Sequence, residues 1–424
     1  MNDSPPTSAF IKPELLAPAG DRDCIRAAIE NGADAVYFGL ASGFNARARA
    51  ANISIDDVDD VMRELHSRGV KGYVTLNTLI FSNELDELER HVRAIAQAGV
   101  DAVLVQDLGA ARLIQAICPD LPIHASTQMS LTSAEGIAAV EELGIERVVL
   151  PRELSLDEIR KIGHASSVPL EAFVHGALCV AYSGQCLTSE SLGGRSANRG
   201  QCAQACRMPY ELICDGEDVD LGNQKYLLSP QDLAAYDLVP ELIAAGVISF
   251  KIEGRLKTPE YVANITSHYR RAIDAAFEQR TVQFTDNDVR EMELSFSRGF
   301  SHGWLEGCDH KMLVPAVSSA KRGIFLGTVE SIRGNQISIT LAAPLSRGDG
   351  VVFEGDRFAK EEQGGRVYEV SQRGKRIDVP ISSGVVELEF AHGAIDAAKL
   401  RTGQSLWKTD DPQLTKRLRK TFTG

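Results

Sequence analysis

Gly32-Ala-Asp-Ala-Val36-Tyr-Phe is a phrase that this chain repeats. It returns as Gly69-Val-Lys-Gly-Tyr73-Val-Thr, Gly99-Val-Asp-Ala-Val103-Leu-Val, Gly144-Ile-Glu-Arg-Val148-Val-Leu and Gly246-Val-Ile-Ser-Phe250-Lys-Ile, each time behind a stretch with helical spacing of its apolar residues. Glycine suits the left-handed position just past a helix end, and a short apolar run suits a strand buried in a parallel sheet. Three more such runs, Glu14–Ala17, Pro122–Ser126 and Leu170–His175, bring the expected strands to eight. Eight strands alternating with helices predict an α/β fold, a closed (β/α)8 TIM-like barrel. An open doubly wound sheet is the alternative; no GxGxxG follows the first strand, which counts against its dinucleotide-binding form.

In such a barrel, chemistry sits where the strands end. Those ends offer Asn45 and Arg47, Thr75 and Asn77, Gln106 and Asp107, Ser126 and Gln128, Arg152 and Glu153, His175, and then Lys251, Glu253 and Arg255. Polar groups are costly in a core, so a ring of them on one face implies a shared polar cavity. Asn45, Arg47, Asn77, Gln106, Gln128 and Arg152 are candidate substrate contacts. His175, Lys251, Glu253 and Arg255 are candidate catalytic residues, the first three for proton handling at the mouth. Asp107 and Glu153 have a plainer reading as helix caps.

Between Gly176 and Gly246 lie about 70 residues where a βα unit needs around 30. The barrel is expected over residues 13–310 with this insertion at 177–245. From about Lys321 the texture changes to short runs between turns: Ile324–Val329, Gln336–Leu341, Gly350–Phe353, Arg366–Val370, Arg376–Ile381 and Val385–Phe390. They predict a small antiparallel β-barrel at 318–407. Residues 408–424 read as a polar tail with no core to cover, a junction cut short.

The chain has 424 residues and a net charge of −13. That balance argues against indiscriminate nucleic-acid binding, although residues 177–210 are locally basic, with Arg195, Arg199 and Arg207 against Glu190. No apolar run approaches the ~18 residues of a membrane span, and the N-terminus lacks a signal peptide's pattern. A cytoplasmic protein with no membrane partner is expected; the oligomeric state is left open.

Four of the eight cysteines crowd the insertion as Cys179-x6-Cys186-x15-Cys202-x3-Cys206. A chain this long needs no disulfide staples, so a metal centre in a reducing compartment is the better reading. Structural zinc prefers paired Cys-x2–4-Cys knuckles, and only the second pair qualifies. Four thiolates on irregular loops suit an iron–sulfur cluster, with zinc still open. A radical S-adenosylmethionine site would need a third cysteine two residues after Cys206, where Arg207, Met208 and Pro209 follow instead. Cys214 is a spare that could replace one ligand.

Glu171-Ala-Phe-Val-His-Gly-Ala-Leu-Cys179-Val-Ala-Tyr-Ser-Gly-Gln-Cys186 and Gly194-Arg-Ser-Ala-Asn-Arg-Gly-Gln-Cys202-Ala-Gln-Ala-Cys206-Arg together resemble the signature of the collagenase-like peptidase family, peptidase family U32. Leu15–Gly20, Thr75–Asn77, His124–Gln128 and Lys251–Arg255 match as well. Despite the name, the resemblance implies oxygen insertion: one branch hydroxylates a cytidine in large-subunit ribosomal RNA, another a uridine in transfer RNA, a third ubiquinone precursors. These branches depend on a cluster and on prephenate or its biosynthesis. The wording here is most similar to the ribosomal branch, whose members tend to be longer. It implies a four-iron four-sulfur cluster on Cys179, Cys186, Cys202 and Cys206, ribosomal RNA or its precursor as substrate, and a small anionic co-substrate such as prephenate. Tyr182, with Phe38, Tyr73 and Phe173, would stack on a base, and Arg152, Lys251 and Arg255 would clamp carboxylates.

Proteolysis is the competing function. The chain has neither HExxH nor GxSxG, which leaves a metal-activated water or a His175–Cys179 pair as its routes. A non-catalytic RNA-binding platform stapled by the cluster is a third.

Overall fold

The structure, a computed structural model, describes residues 12–47, 50–355 and 361–423. The expected runs form strands β1 (Glu14–Ala19), β2 (Ala35–Gly39), β3 (Lys71–Leu76), β4 (Ala102–Val105), β5 (Ile123–Ala125), β6 (Ile145–Val149) and β7 (Leu170–Ala177). The insertion carries a hairpin of β8 (Leu212–Cys214) and β9 (Glu217–Val219), then the short β10 (Asp232–Ala234), before β11 (Val247–Ile252). From β1 to β7 each strand pairs in parallel with the next, and β11 pairs in parallel with both β7 and β1. The sheet closes as a (β/α)8 barrel, not an open doubly wound sheet.

Local chemistry explains the elements. β2 is buried along its whole length, as a strand covered on both faces must be. The cover comes from helices with one apolar stripe, such as Leu85–Gln97 with Leu88, Val92 and Ile95 inward. Gly69 and Gly99 adopt φ of +69° and +72° just beyond their helices, where a side chain would be strained. Asp107 caps helix Leu108–Ile117 by accepting from the Ala110 amide, its plainer reading. One annex was not expected: β10 adds antiparallel to the end of β7, and β12 (Phe300–Ser301) adds in parallel to β10.

The chain divides into two compact units, Met1–Gln283 with Phe300–Ser319 and Thr421–Gly424, and Phe284–Gly299 with Ala320–Lys420. The second holds β13 (Ile324–Arg333), β14 (Gln336–Leu341), β15 (Gly350–Phe353), β16 (Gln363–Gln372), β17 (Lys375–Arg376), β18 (Gly384–Phe390) and β19 (Ser405–Asp410). Six of them close antiparallel in the order β15-β19-β13-β14-β18-β16 and back to β15, with β17 a stub on β16. The core is Leu326, Ile339, Phe353, Val386, Leu388 and Leu406.

This is the expected small β-barrel with two corrections. The run Arg376–Ile381 gives only the stub, since Pro380 has no amide to donate to a ladder, and Ile381 makes one isolated bridge to Leu345. The sixth strand is β19, which reaches into the supposed tail. Lys408 is 4% exposed because its ammonium sits 2.6 Å from Asp349 and 2.8 Å from Asp411. Beyond it, helix Pro412–Arg419 buries Leu414 and Leu418, so residues 408–424 do cover a core. Helix Asp286–Ser295 also packs with this unit, not with the barrel. No helix among the described residues is long and apolar enough to cross a membrane.

Candidate functional site

Glu253, just past the end of β11, is gripped from two sides at the barrel mouth. Arg47 Nη2, from the loop after β2, lies 3.3 Å from Oε1, and Arg152 Nη2, beyond β6, lies 2.8 Å from Oε2. The Arg152 guanidinium also rests 3.7 Å over the Phe173 ring. Arg255, 4% exposed, donates from Nη1 to Asn45 Oδ1 at 3.3 Å and to Thr75 Oγ1 at 3.1 Å. Burial alone would raise the Glu253 pKa, but Arg47, Arg152 and Arg255 outweigh it and bring it down to about 2. Burial brings Arg255 down to about 10, which still leaves it charged at neutral pH. Among the described residues, three cations, Arg47, Arg152 and Arg255, thus surround the carboxylate of Glu253. Glu253 is fixed as an anion that orients Arg47 and Arg152, a poor fit to the proton-handling role expected of it.

Lys251 lies two residues earlier on the same strand, about 7 Å deeper. It is 2% exposed, with Nζ 2.8 Å from Glu171 Oε1 and 4.5 Å above the Tyr37 ring. Glu171 Oε2 takes Arg147 at 3.3 Å and Ser249 Oγ at 3.2 Å. Glu14 takes Arg147, Ser249 Oγ at 3.1 Å and the Tyr73 hydroxyl at 2.7 Å. Lys251 and Tyr73 thus belong to a buried ionic floor, not to a clamp or stacking face at the mouth. The sequence signal was a charge inside an apolar strand run, Glu171, which is 0% exposed.

His175 is also not at the mouth. Its ring lies among Tyr261, Tyr269 and Phe300, with Nδ1 3.3 Å from the Tyr269 hydroxyl. Burial brings its pKa down to about 3. The β7–β11 register slips between Lys251 and Ile252, where Lys251 faces Phe173 and Ile252 faces His175. That bulge breaks the strand's alternation, and His175 does not continue the inward row of Glu171 and Phe173.

The remaining strand-end residues divide. Asn45 donates to the Leu40 carbonyl at 2.9 Å and accepts from the Arg47 amide at 3.0 Å. Asn77 accepts from the Ala46 amide at 3.0 Å and donates to Ser126 Oγ at 3.1 Å. Both tie the rim together. Gln106 and Gln128 instead each keep a buried Oε1 with no hydrogen-bond partner among the described residues, which a bound ligand would satisfy. Phe38 is fully buried in the core, and Tyr182 is 70% exposed on the insertion.

The insertion presses onto this mouth. A Cβ at Gly200 (φ +77°) would collide with the Asn45 carbonyl, and one at Gly184 (φ +74°) with the Gln128 carbonyl. Glu153 receives the Ser183 amide and hydroxyl, both at 2.9 Å, so it anchors the insertion where a helix cap was expected. Arg199 pairs with Glu84, and Arg207 is tied to Ser229 and the Leu178 carbonyl, both at 2.8 Å. Two of the three arginines that make residues 177–210 locally basic thus hold the insertion in place.

Cys179, Cys186, Cys202 and Cys206 gather here as free thiols within range of one another's charge. Cys202 accepts the Gln204 amide at 3.4 Å. Arg152 acts on Cys179 and Cys202 on Arg47, so the thiols lie within electrostatic range of the two arginines that hold Glu253. Among the described residues no three His, Cys, Asp or Glu side chains converge closely enough to hold a single metal ion. Cys214 is exposed on the β8–β9 hairpin.

The sequence profile of Peptidase family U32 matches residues 20–314, and the chain belongs to that family. It is 41% identical over 349 residues to the 23S rRNA 5-hydroxycytidine C2501 synthase of Escherichia coli, covering 80% of this chain and 52% of that one. It is 38% identical over 269 residues to the tRNA hydroxylation protein P1 of Bacillus subtilis, covering 62% and 64%. It is also 35% identical over 314 residues to a collagenase of Porphyromonas gingivalis, covering 69% and 73%. The chain thus spans about half of the first relative and less than two thirds of the second.

Proposed function

We propose that this chain is a cytoplasmic iron–sulfur-dependent RNA hydroxylase that forms hydroxycytidine in large-subunit ribosomal RNA, with a prephenate-like dicarboxylate linked to oxygen supply. The observation that carries the reading is the set of three arginines that surround Glu253 among the described residues, within electrostatic range of the gathered thiols. Guanidinium groups in excess of the carboxylate they surround, in a partly desolvated setting, suit a small dianion, and their forks suit carboxylates. The similarity to the E. coli synthase supports RNA as the substrate and cytidine as its target.

The thiols fit the cofactor. They lie within one another's charge range on irregular loops, as suits a polynuclear group taking one thiolate per iron. When bound, such a cluster supplies electron exchange or a Lewis-acidic iron next to the mouth. The chain's own residues do the rest: Arg47, Arg152 and Arg255 hold and orient the anion, Glu253 fixes two of those arginines, and Gln106 and Gln128 offer acceptors for the exocyclic amine of a base. Uridine hydroxylation in transfer RNA is the second reading, favoured by the B. subtilis relative. A peptidase built on a His175–Cys179 pair finds no support in a histidine enclosed by Tyr261, Tyr269 and Phe300.

The test is anaerobic purification with iron and sulfide analysis, on wild type and Cys179→Ala, followed by nucleoside mass spectrometry of ribosomal and transfer RNA from a deletion strain. About four irons and four sulfides per chain, lost in the variant, with a missing hydroxycytidine, is the expected result. Stoichiometric zinc, or intact RNA modification in the deletion strain, would overturn the reading.

A further inference from the structure

The basic residues of this acidic chain are unevenly placed. The second unit, residues 284–299 and 320–420, carries 19 Lys and Arg against 17 Asp and Glu, whereas the rest of the chain carries 26 against 41. The insertion has little to offer a phosphate, since Arg199 and Arg207 are used internally. An anionic polymer meets repulsion over most of this molecule and attraction over the second unit.

That unit also displays an aromatic residue with no packing task. Tyr368, at a bulge in β16, is 56% exposed while its neighbours Val367 and Val370 are buried, and the Arg347 guanidinium lies 5.5 Å from its ring centroid. Arg366 shares this outward side and is held by Asp410 at 2.7 Å. The strand then runs into a hairpin turn where Arg373, Gly374 and Lys375 are all exposed. Among the described residues Arg347, Arg373 and Lys375 have no carboxylate partner, while Arg376 is held by Asp378 at 3.0 Å. From Tyr368 to Arg373 the strand covers about 16 Å, the length of a few nucleotides. An exposed ring backed by a cation, followed by unpaired basic residues along one line, combines base stacking with phosphate tracking.

We propose that the β16 face and its hairpin, with Tyr368, Arg347, Arg373 and Lys375, form a docking surface for single-stranded RNA. Tyr368 and Arg347 stack one base, and the hairpin follows the backbone. The surface reads no sequence; it raises the local concentration of RNA for the enzyme. The inference rests on the RNA reading of the proposed function.

The test uses the full chain and a fluorescein-labelled 12-nucleotide pyrimidine RNA, followed by anisotropy between 50 and 250 mM salt. Three variants are compared: Tyr368→Ala, Tyr368→Phe, and Arg373→Asn with Lys375→Ala; asparagine tolerates the left-handed φ of +52° at 373. Iron content and urea unfolding confirm that each is folded. Tyr368→Ala should weaken binding at least about fivefold at an unchanged salt slope, while Tyr368→Phe binds as wild type. The double variant should lower the salt slope by about 1.4, two phosphates' worth. Wild-type binding that no substitution alters overturns this surface and leaves RNA as the substrate. Wild type that binds no RNA overturns both. Vesicles of anionic lipid that bind through the same residues as tightly as RNA overturn it in favour of a general polyanion surface.

Discussion

Two layers of charge share the inside of one barrel, and they are built to opposite rules. The floor sets Glu14 and Glu171 against the buried Arg147 and Lys251, with the exposed Lys71 3.7 Å from Glu14 at its edge and Ser249 and Tyr73 taking further hydrogen bonds. Among the described residues, the mouth sets Arg47, Arg152 and Arg255 around Glu253, while Glu153 is taken up by Ser183. Balance suits a layer that no ligand enters, because an uncompensated charge at that depth would cost several kcal/mol. Imbalance suits a layer that waits for an anion. Proximity on β11 is therefore a poor guide to role: Lys251 and Glu253 are two residues apart and belong to different machines.

The sharpest way to break this comparison is to unbalance the floor. Glu171→Ala strands Lys251 and Arg147 in the interior and should cost about 3–5 kcal/mol, as for removal of one partner of a buried pair. Urea unfolding monitored by circular dichroism measures it. A loss under about 1 kcal/mol would mean that water reaches this layer and that floor and mouth are one continuous cavity.

The mouth should respond in the opposite sense. Arg152→Ala leaves Glu253 with Arg47 and should change stability little, while it removes a charge-assisted contact worth about 1.5–3 kcal/mol to a bound anion. The expected result is a rise of about 10- to 100-fold in the half-saturating concentration of the dicarboxylate, at a similar unfolding midpoint. If stability falls as far as in Glu171→Ala, the mouth is a second structural layer and not a binding site.

The contrast also shows what could be read from the sequence. The barrel was legible because buried parallel strands leave apolar runs, and Val36, Val103 and Val148 mark them without help from tertiary context. The ring of polar strand ends was legible too, but not the direction each side chain takes. His175 follows a bulge that no local pattern reveals, and Lys251 finds its partner on β7, 80 residues earlier. β19 escaped for a related reason: Lys408 looks like surface until Asp349 and Asp411 are seen around it. Charges neutralised by distant residues are misread wherever only neighbours are visible.

A third charged group, outside both layers, sharpens the point by titrating in an accessible range. His302 lies 3.0 Å from Asp237 and 2.6 Å from Glu306. The Asp237 hydrogen bond, with help from Glu306 and against burial, holds its pKa up to about 9, from an ordinary value of 6.5. Its stabilising effect is complete below pH 6.5 and is lost as pH rises through 9. Stability of the wild type should therefore decline across that window, and His302→Gln should flatten the decline. Equal pH profiles for the two proteins would show that this group is only a surface contact.

The smallest effect expected separates two neighbouring amides. Asn77, one residue past β3, has both ends of its side chain bonded, to the Ala46 amide and to Ser126 Oγ. Gln106, one residue past β4, keeps a buried oxygen without a partner. Asn77→Leu orphans a buried amide and should cost about 1–3 kcal/mol of stability. Gln106→Leu removes an acceptor that the folded protein does not use, so stability should stay within about 0.5 kcal/mol of wild type. A few-fold weaker hold on the RNA substrate, at that unchanged stability, would place Gln106 against the base. A stability loss as large as for Asn77→Leu would instead show that Gln106 serves the rim, and the ligand-facing part of the mouth would shrink to its arginines.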